Sequence, residues 1–250
     1  MIEEFYDSMA DHYHLIFHDW EKSIDFHASV IDRLLMNHGK RKTSTLLDCA
    51  CGIGTQALGL AKLGYKVSGS DISSKEIARA KKEAANRSLD IEFCVADFCF
   101  LGNFFKNAFD IIIAMDNALP HLTENVTLTQ ALRSIYAQTA ERGLFIASIR
   151  DYDEILKTKP STLLPSVIPT VSGKRIVFQI WEWQGTEYDF TQYIVEDDNK
   201  NPSISKFCCR YRALTRTELT DGLLSAGYRD VKWVFPEVSG FYQPIVIARK

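Results

Sequence analysis

Residues 46–57 read LLDCACGIGTQA, an apolar run that meets an acid and then a glycine turn. Gly52, Gly54 and Ala57 fit the G-x-G-x-x-G/A pattern that holds a dinucleotide pyrophosphate on a helix N-terminus. Asp48 opposes that chemistry. A carboxylate ~6 Å from a phosphate in a partly desolvated cleft costs on the order of a few kcal/mol at an effective dielectric near 20. A ligand that is cationic at this turn and carries no phosphate removes the conflict. Two more acids recur down the chain, Asp71 in GSDIS and Asp97 in ADF. Asp71 suits a pair of ribose hydroxyls, and Asp97 suits an exocyclic base amine with the ring packed on Phe98 or Ile72. Each acid also has a plain structural reading: Asp48 as a cap or solvated acid, Asp71 as the cap of the next helix, Asp97 in a surface turn.

S-adenosylmethionine satisfies this pattern, because it combines an adenosine with a sulfonium and an α-ammonium. The turn at Ala50, Gly52 and Gly54 then lets the backbone approach the methionine part, while Asp48 faces the ammonium directly or through water. Asn117 and the backbone near Met115, beside Asp116, line the path from sulfonium to acceptor, or Asp116 and Asn117 begin a turn before Pro120. Arg150 is either a surface arginine or a two-bond clamp for an acceptor carboxylate. An oxygen acceptor needs a base, for which His121 and Tyr6 are the candidates; His121 also reads as a structural residue. Tyr6 and Tyr13 are lid residues or amphipathic core. Trp181, Trp183, Tyr188, Phe190 and Tyr193 read as hairpin packing rather than a cation cage.

The elements that must position these groups alternate. Strands are expected at about 45–49, at YKVSGSD, at IEFCVADF up to Asp97, at the run before Asp116 and at GLFIASIR. Helices are expected at Thr55–Lys62, from Ser73 or Ser74 onward, and over 124–140. Strands apolar on both faces alternating with helices describe a mostly parallel sheet covered on both sides. Its ligand belongs at the carboxyl ends of the strands, where Asp48, Asp71, Asp97, Asp116 and Arg150 all fall. The stretch 151–170 reads as loop. Residues 173–215 alternate apolar and polar side chains, with turns at QGTE and DDNKN, and read as inserted antiparallel hairpins. A helix over 217–226 and strands near 228–235 and 241–249 close the chain.

LLDCACGIGTQ, GSDIS, ADF and FDIIIAMDNALPHL together resemble the successive motifs of the class I S-adenosylmethionine-dependent methyltransferases. Ala50 departs from the glycine common there, and D-x-A-C-G-x-G is similar to the glycine and sarcosine N-methyltransferase branch. YDSMADHYHLIF resembles that branch's cofactor-closing arm, and SIRDYDEIL its Arg-x-Tyr-Asp stretch. The resemblance implies an α/β, Rossmann-like, doubly wound seven-stranded sheet, mostly parallel with the last strand antiparallel. It implies a helical arm or lid at 1–40, a cofactor-binding core at 41–150, an inserted antiparallel subdomain at 151–214, and a completing helix and strands at 215–250. It also implies methyl transfer to a small acceptor, most readily an amine such as glycine or sarcosine, with Arg150 on the acceptor carboxylate. A nicotinamide-dependent oxidoreductase using Gly52–Ala57 and a non-catalytic adenosine-ligand module remain the alternatives.

Composition narrows the partners. The chain has 250 residues, 46% of them hydrophobic, with a formal charge of −3 and no basic block. Neither nucleic acid nor a membrane surface is called for, and a monomer or homodimer is expected. Six cysteines show neither a CxxC pair nor a zinc spacing, so no metal site is expected, and they read as reduced core thiols of a cytoplasmic protein.

Overall fold

The computed structural model describes residues 2–198 and 202–250. The central sheet holds seven strands: β1 Thr45–Asp48, β2 Lys66–Asp71, β3 Glu92–Val95, β4 Phe109–Ala114, β5 Thr139–Ser148, β10 Arg229–Val234 and β11 Ile245–Arg249. Their spatial order is β10-β11-β5-β4-β1-β2-β3. Pairing is parallel from β3 across to β5, and β11 runs antiparallel to both β5 and β10. The expected sheet, with its reversed last strand, is therefore present. Its middle is dry on both faces: Leu46, Leu47, Ile112, Ile113, Phe145 and Ile146 are all buried. That is why these strands read as unbroken apolar runs rather than alternating ones.

Helices α1 Ile2–Met9, α2 Trp20–Asn37, α3 Thr55–Lys62, α4 Ser74–Asn86, α5 Asn125–Gln138, α6 Tyr152–Thr158, α7 Arg216–Ala226 and α8 Pro236–Ser239 complete the chain. Local signals set their ends. Asp19 caps α2 by accepting from the Lys22 amide, and Ser73 caps α4 by accepting from the Glu76 amide. Thr215 and Glu218 close a reciprocal capping box on α7. Gly69 of β2 is in register with Phe93 of the neighbouring β3, and a Cβ there would come within 2.5 Å of the Phe93 ring. Among the described residues, no helix is long and apolar enough to cross a membrane.

Between β5 and α7 the expected antiparallel hairpins are present, while the stretch 151–170 departs from the expected loop. Residues 151–170 contain α6, capped by the Asp151 side chain and anchored by the buried Tyr152, and a short edge strand β6, Ser166–Pro169. β6 joins β7 Lys174–Gln184, β8 Glu187–Asp197 and β9 Ser203–Arg212 in one four-stranded antiparallel sheet. Three prolines hid these elements, yet Pro169 is tolerated at the end of an edge strand. The DDNKN turn lies partly outside the described residues. β3 stops at Val95, and Asp97 instead caps a 3-10 helix over Phe98–Asn103 by accepting from the Cys99 amide. Near the C-terminus the strands are shorter than expected, and α8 fills the gap between them.

Candidate functional site

A cavity of about 1040 Å³, counting its open mouth, lies at the carboxyl ends of β1 to β4. The glycine turn forms its floor through Ala50 and Gly52, followed by Thr55 and Gln56 of α3. Gly52 and Gly54 are left-handed, with φ of 52° and 96°. At Gly52 a side chain is excluded twice over, since a Cβ would also come within 2.8 Å of a Glu76 carboxylate oxygen. The Gly52 amide donates to Asp71 Oδ2 at 2.9 Å, and the Gly54 amide to the Cys51 carbonyl at 2.8 Å. Both glycine amides of the turn are engaged inside the protein. This geometry disfavours the dinucleotide reading.

Asp71 and Ile72 line the cavity at the end of β2, and Asp97 with Phe98 lines it beyond β3. Asp71 accepts from the Gly52 and Ser73 amides, one on each oxygen, which leaves a lone pair on each for a vicinal diol. Burial pushes its carboxyl above the usual range, against the pull of those amides. Met115 and Asp116 line the β4 side. The arm supplies the roof: Tyr6 and Tyr13 face the cavity, as does Ile2. Tyr6 Oη lies 2.7 Å from His121 Nε2. Asp7 of the same helix accepts from the Ser73 hydroxyl at 2.6 Å and the Lys75 amide at 3.1 Å, so α1 is tied to the start of α4.

Four residues expected at the site do not line this cavity. Asp48 is fully buried beneath the turn, and neither of its oxygens has a hydrogen-bond partner among the described residues. Burial raises its pKa well above the carboxylate norm, although the Ala50 and Ala57 amides pull the other way. Asp48, expected to face a ligand ammonium directly or through water, therefore does not line the cavity itself. Gly54 serves the turn as the left-handed cap of α3. Asn117 points sideways, donating to Tyr152 Oη at 3.0 Å and accepting from the Arg150 amide at 3.0 Å.

Arg150 stands one aromatic ring behind the cavity wall. His121, a cavity residue, stacks on Tyr211 at 4.0 Å between centroids. The Arg150 guanidinium lies 5.2 Å from that same ring, 5.2 Å from Phe190 and 4.8 Å from Trp181. It donates to Tyr188 Oη at 2.6 Å and to Gln179 Oε1 at 3.5 Å. Among the described residues no ion pair joins it to a carboxylate. Burial works against its charge, but the Tyr188, Tyr152 and Tyr211 hydroxyls around it hold the pKa above the ordinary arginine value. The hairpin aromatics read as packing therefore do surround a cation, and it is the protein's own. Trp183 packs on Tyr188, while Tyr193 stacks on Phe178 instead. His121, weighed as base or structural residue, is buried and its pKa is lowered to about 3, chiefly by that burial. Sequence reasoning missed Thr55 and Gln56, whose only signal is their place just after the turn, and Tyr211, which lies outside any strand-end motif; Tyr152 stands in the Arg-x-Tyr-Asp stretch after β5 but takes no role in that reading.

Three acids on one edge of this cavity suit an adenosine ligand that carries no phosphate. Residues 46–143 match the family described as Methyltransferase domain. The chain is 30% identical over 155 residues to a glycine/sarcosine N-methyltransferase of Parasynechococcus marenigrum, covering 62% of this chain and 54% of the relative. The match thus spans about half the length of that relative. Among solved structures, Streptomyces venezuelae DesVI superposes with a TM-score of 0.80 at 18% identity, over 96% of this chain and 97% of its own. The amino pentose methyltransferase CalS10 of Micromonospora echinaspora, solved with S-adenosylmethionine bound, gives 0.75 at 17% identity, over 90% of each chain. Residues 46–143 thus match a methyltransferase domain, and the chain shares its fold with solved S-adenosylmethionine-dependent methyltransferases.

Proposed function

We propose that the protein transfers a methyl group from S-adenosylmethionine to a small amine that carries a carboxylate, with glycine and sarcosine as the first acceptors to test. The observation that carries the acceptor class is Arg150. It is a guanidinium held flat among three rings and two neutral acceptors, with no acid in the described structure to balance it. A planar carboxylate supplies that balance through two parallel bonds.

The residues present suit the cofactor. Asp71 and Asp97 offer acceptors for a diol and a base amine, Phe98 and Ile72 offer apolar surface, and the committed turn amides demand no phosphate. When bound, the cofactor supplies a methyl group already activated on a sulfonium. The chain's part is alignment, which is worth about 7–11 kcal/mol when the reacting atoms are held in line. Tyr6, tied to His121, and Tyr13 cover the cavity and exclude water. Neutral His121 can hold a hydrogen bond at its edge, and an amine acceptor that arrives deprotonated asks no more of it.

The test is transfer of a labelled methyl group to a panel of glycine, sarcosine, their decarboxylated counterparts and simple phenols. Label is expected in the two carboxylate amines. Equal label in the decarboxylated amines overturns the acceptor assignment, and no label anywhere, together with no binding of S-adenosylhomocysteine, overturns the activity.

A further inference from the structure

With Asp48 sealed under the turn, the cation-recognising role it was expected to fill falls elsewhere. We propose that the Asp116 carboxylate receives the α-ammonium at the amino-acid end of the cofactor. The inference rests on the cofactor half of the function proposed above and not on its acceptor half.

Sheet order makes the first argument. β4 flanks β1 on one side, while β2 and β3 lie on the other. Adjacent strands are about 4.8 Å apart, so the end of β4 stands roughly 14 Å from the end of β3. A ligand with its base over Asp97 and its ribose over Asp71 crosses the turn after β1 and brings its far end to β4. Asp116 lines the cavity there.

Charge makes the second. Asp116 Oδ2 accepts from Gln56 Nε2 at 2.6 Å, and Oδ1 from Tyr242 Oη at 2.7 Å. Both donors are neutral. His27 Nδ1 is 3.9 Å from Oδ2, and its burial lowers its pKa, so it is uncharged at neutral pH. No lysine or arginine pairs with Asp116 among the described residues. Its oxygens are fixed in place while its charge is left unmatched, which is the preparation an incoming ammonium requires.

Backbone makes the third. Asp116 and Asn117 are both left-handed, with φ of 56° and 70°. Two successive non-glycine residues in that region cost of order 1–2 kcal/mol each and persist only where the surroundings impose them. β5 does so here: Ser148 Oγ accepts from the Asp116 amide at 2.8 Å, and the Ser148 carbonyl from the Asn117 amide at 3.0 Å. Ser148 is held in turn by Gln243, at 2.8 Å. An acceptor amine is the other possible source of an ammonium. The tie to Gln56, in the helix that begins at the glycine turn, assigns Asp116 to the cofactor.

The experiment is calorimetry on the full chain with two ligands: S-adenosylhomocysteine, and 5′-methylthioadenosine, which keeps the nucleoside and thioether but lacks the amino-acid end. Asp116→Asn is expected to weaken S-adenosylhomocysteine about 10- to 100-fold, the range for one charge-assisted bond, and to leave methylthioadenosine within about twofold. Asp116→Gly also removes the carboxylate, and relief of the left-handed strain offsets part of the loss of its bonds from Gln56 and Tyr242, so it is expected to repeat the result. Unchanged affinity for both ligands, or equal loss for both, overturns the proposal. So does a rise in acceptor KM with S-adenosylhomocysteine affinity intact, which hands Asp116 to the acceptor. Failure of the wild-type chain to bind either ligand instead overturns the cofactor reading itself.

Discussion

Replacing Arg150 with methionine tests the acceptor assignment at its most exposed point. Methionine keeps an unbranched side chain for Trp181, Phe190 and Tyr211 to pack on, while deleting the charge and the fork. The guanidinium makes one short bond, 2.6 Å to Tyr188 Oη, and one at the edge of bonding range, 3.5 Å to Gln179. It has no carboxylate to strand, so folding stability should change little beyond the loss of ring contacts. Two charge-assisted bonds to an acceptor carboxylate, at about 1.5 kcal/mol each, total about 3 kcal/mol, or roughly a hundredfold in kcat/KM. The assay is steady-state methyl transfer to glycine or sarcosine, with S-adenosylhomocysteine affinity measured alongside. We expect the loss to fall on acceptor KM and cofactor affinity to stay within about twofold. Arg150→Lys should recover part of the loss, because a lysine keeps the charge without the paired geometry. A folded methionine variant with unchanged acceptor kinetics would refute the reasoning.

Three other outcomes follow from the same geometry. Asp71→Asn should weaken S-adenosylhomocysteine by about tenfold or more, since it removes the charge that faces the ribose and loosens the Gly52 turn at once; equal affinity by calorimetry removes Asp71 from the ligand. Tyr6→Phe deletes the bond to His121, and at about 0.5–1.5 kcal/mol it should speed ligand release by a few-fold in stopped-flow measurements, with little change in melting temperature. His121 titrates at about 3 in the folded chain because burial disfavours its charge, against about 6.5 when unfolded. Above pH 6.5 it contributes no pH dependence. As pH falls from 6.5 toward 3 the unfolded state alone takes up its proton, and stability drops by up to about 1.4 kcal/mol per pH unit. Denaturant midpoints for the wild type and His121→Asn should therefore converge as pH falls through that window; parallel curves would contradict the burial argument.

The parallel core was legible because its strands are apolar on both faces and its acids sit where those runs end. Alternation of strand and helix then fixed the edge on which Asp71, Asp97 and Asp116 meet. What could not be read was depth. Asp48 and Asp71 end neighbouring strands and look alike in sequence, yet one lies under the turn and the other on the cavity wall. The difference is made by the turn and the start of α3, whose Ala50 and Ala57 amides approach Asp48, a tertiary event with no local signature. The same holds for 151–170, where prolines imitate a loop while Tyr152, the anchor of α6, is buried against residues far along the chain. The ring of Trp181, Phe190 and Tyr211 around Arg150 joins β7, β8 and β9 to the end of β5, and only the register of a second sheet brings them together.

The distribution of charge links these observations to chemistry. Asp71, Asp97 and Asp116 face the cavity, and no lysine or arginine does among the described lining residues. Beneath them Asp48 and Glu76 are buried without hydrogen-bond partners, and burial raises the pKa of both. Such a site is costly to keep empty, because Asp48 is buried and repelled by Asp71 and Asp116, and only part of the charge beneath the cavity is offset, by Arg79 near Glu76. A ligand with positive charge spread from its sulfur to its ammonium lowers that cost on arrival, and a neutral or anionic nucleotide raises it. Arg150, on the far side of Tyr211, faces the opposite problem: a cation whose neighbours are rings and hydroxyls. A single aromatic layer, the Tyr211 ring, thus lies between the cavity with its acids and the Arg150 guanidinium. On the acceptor class proposed above, a zwitterionic amino acid is expected to place its carboxylate on the Arg150 side and its amine on the donor side.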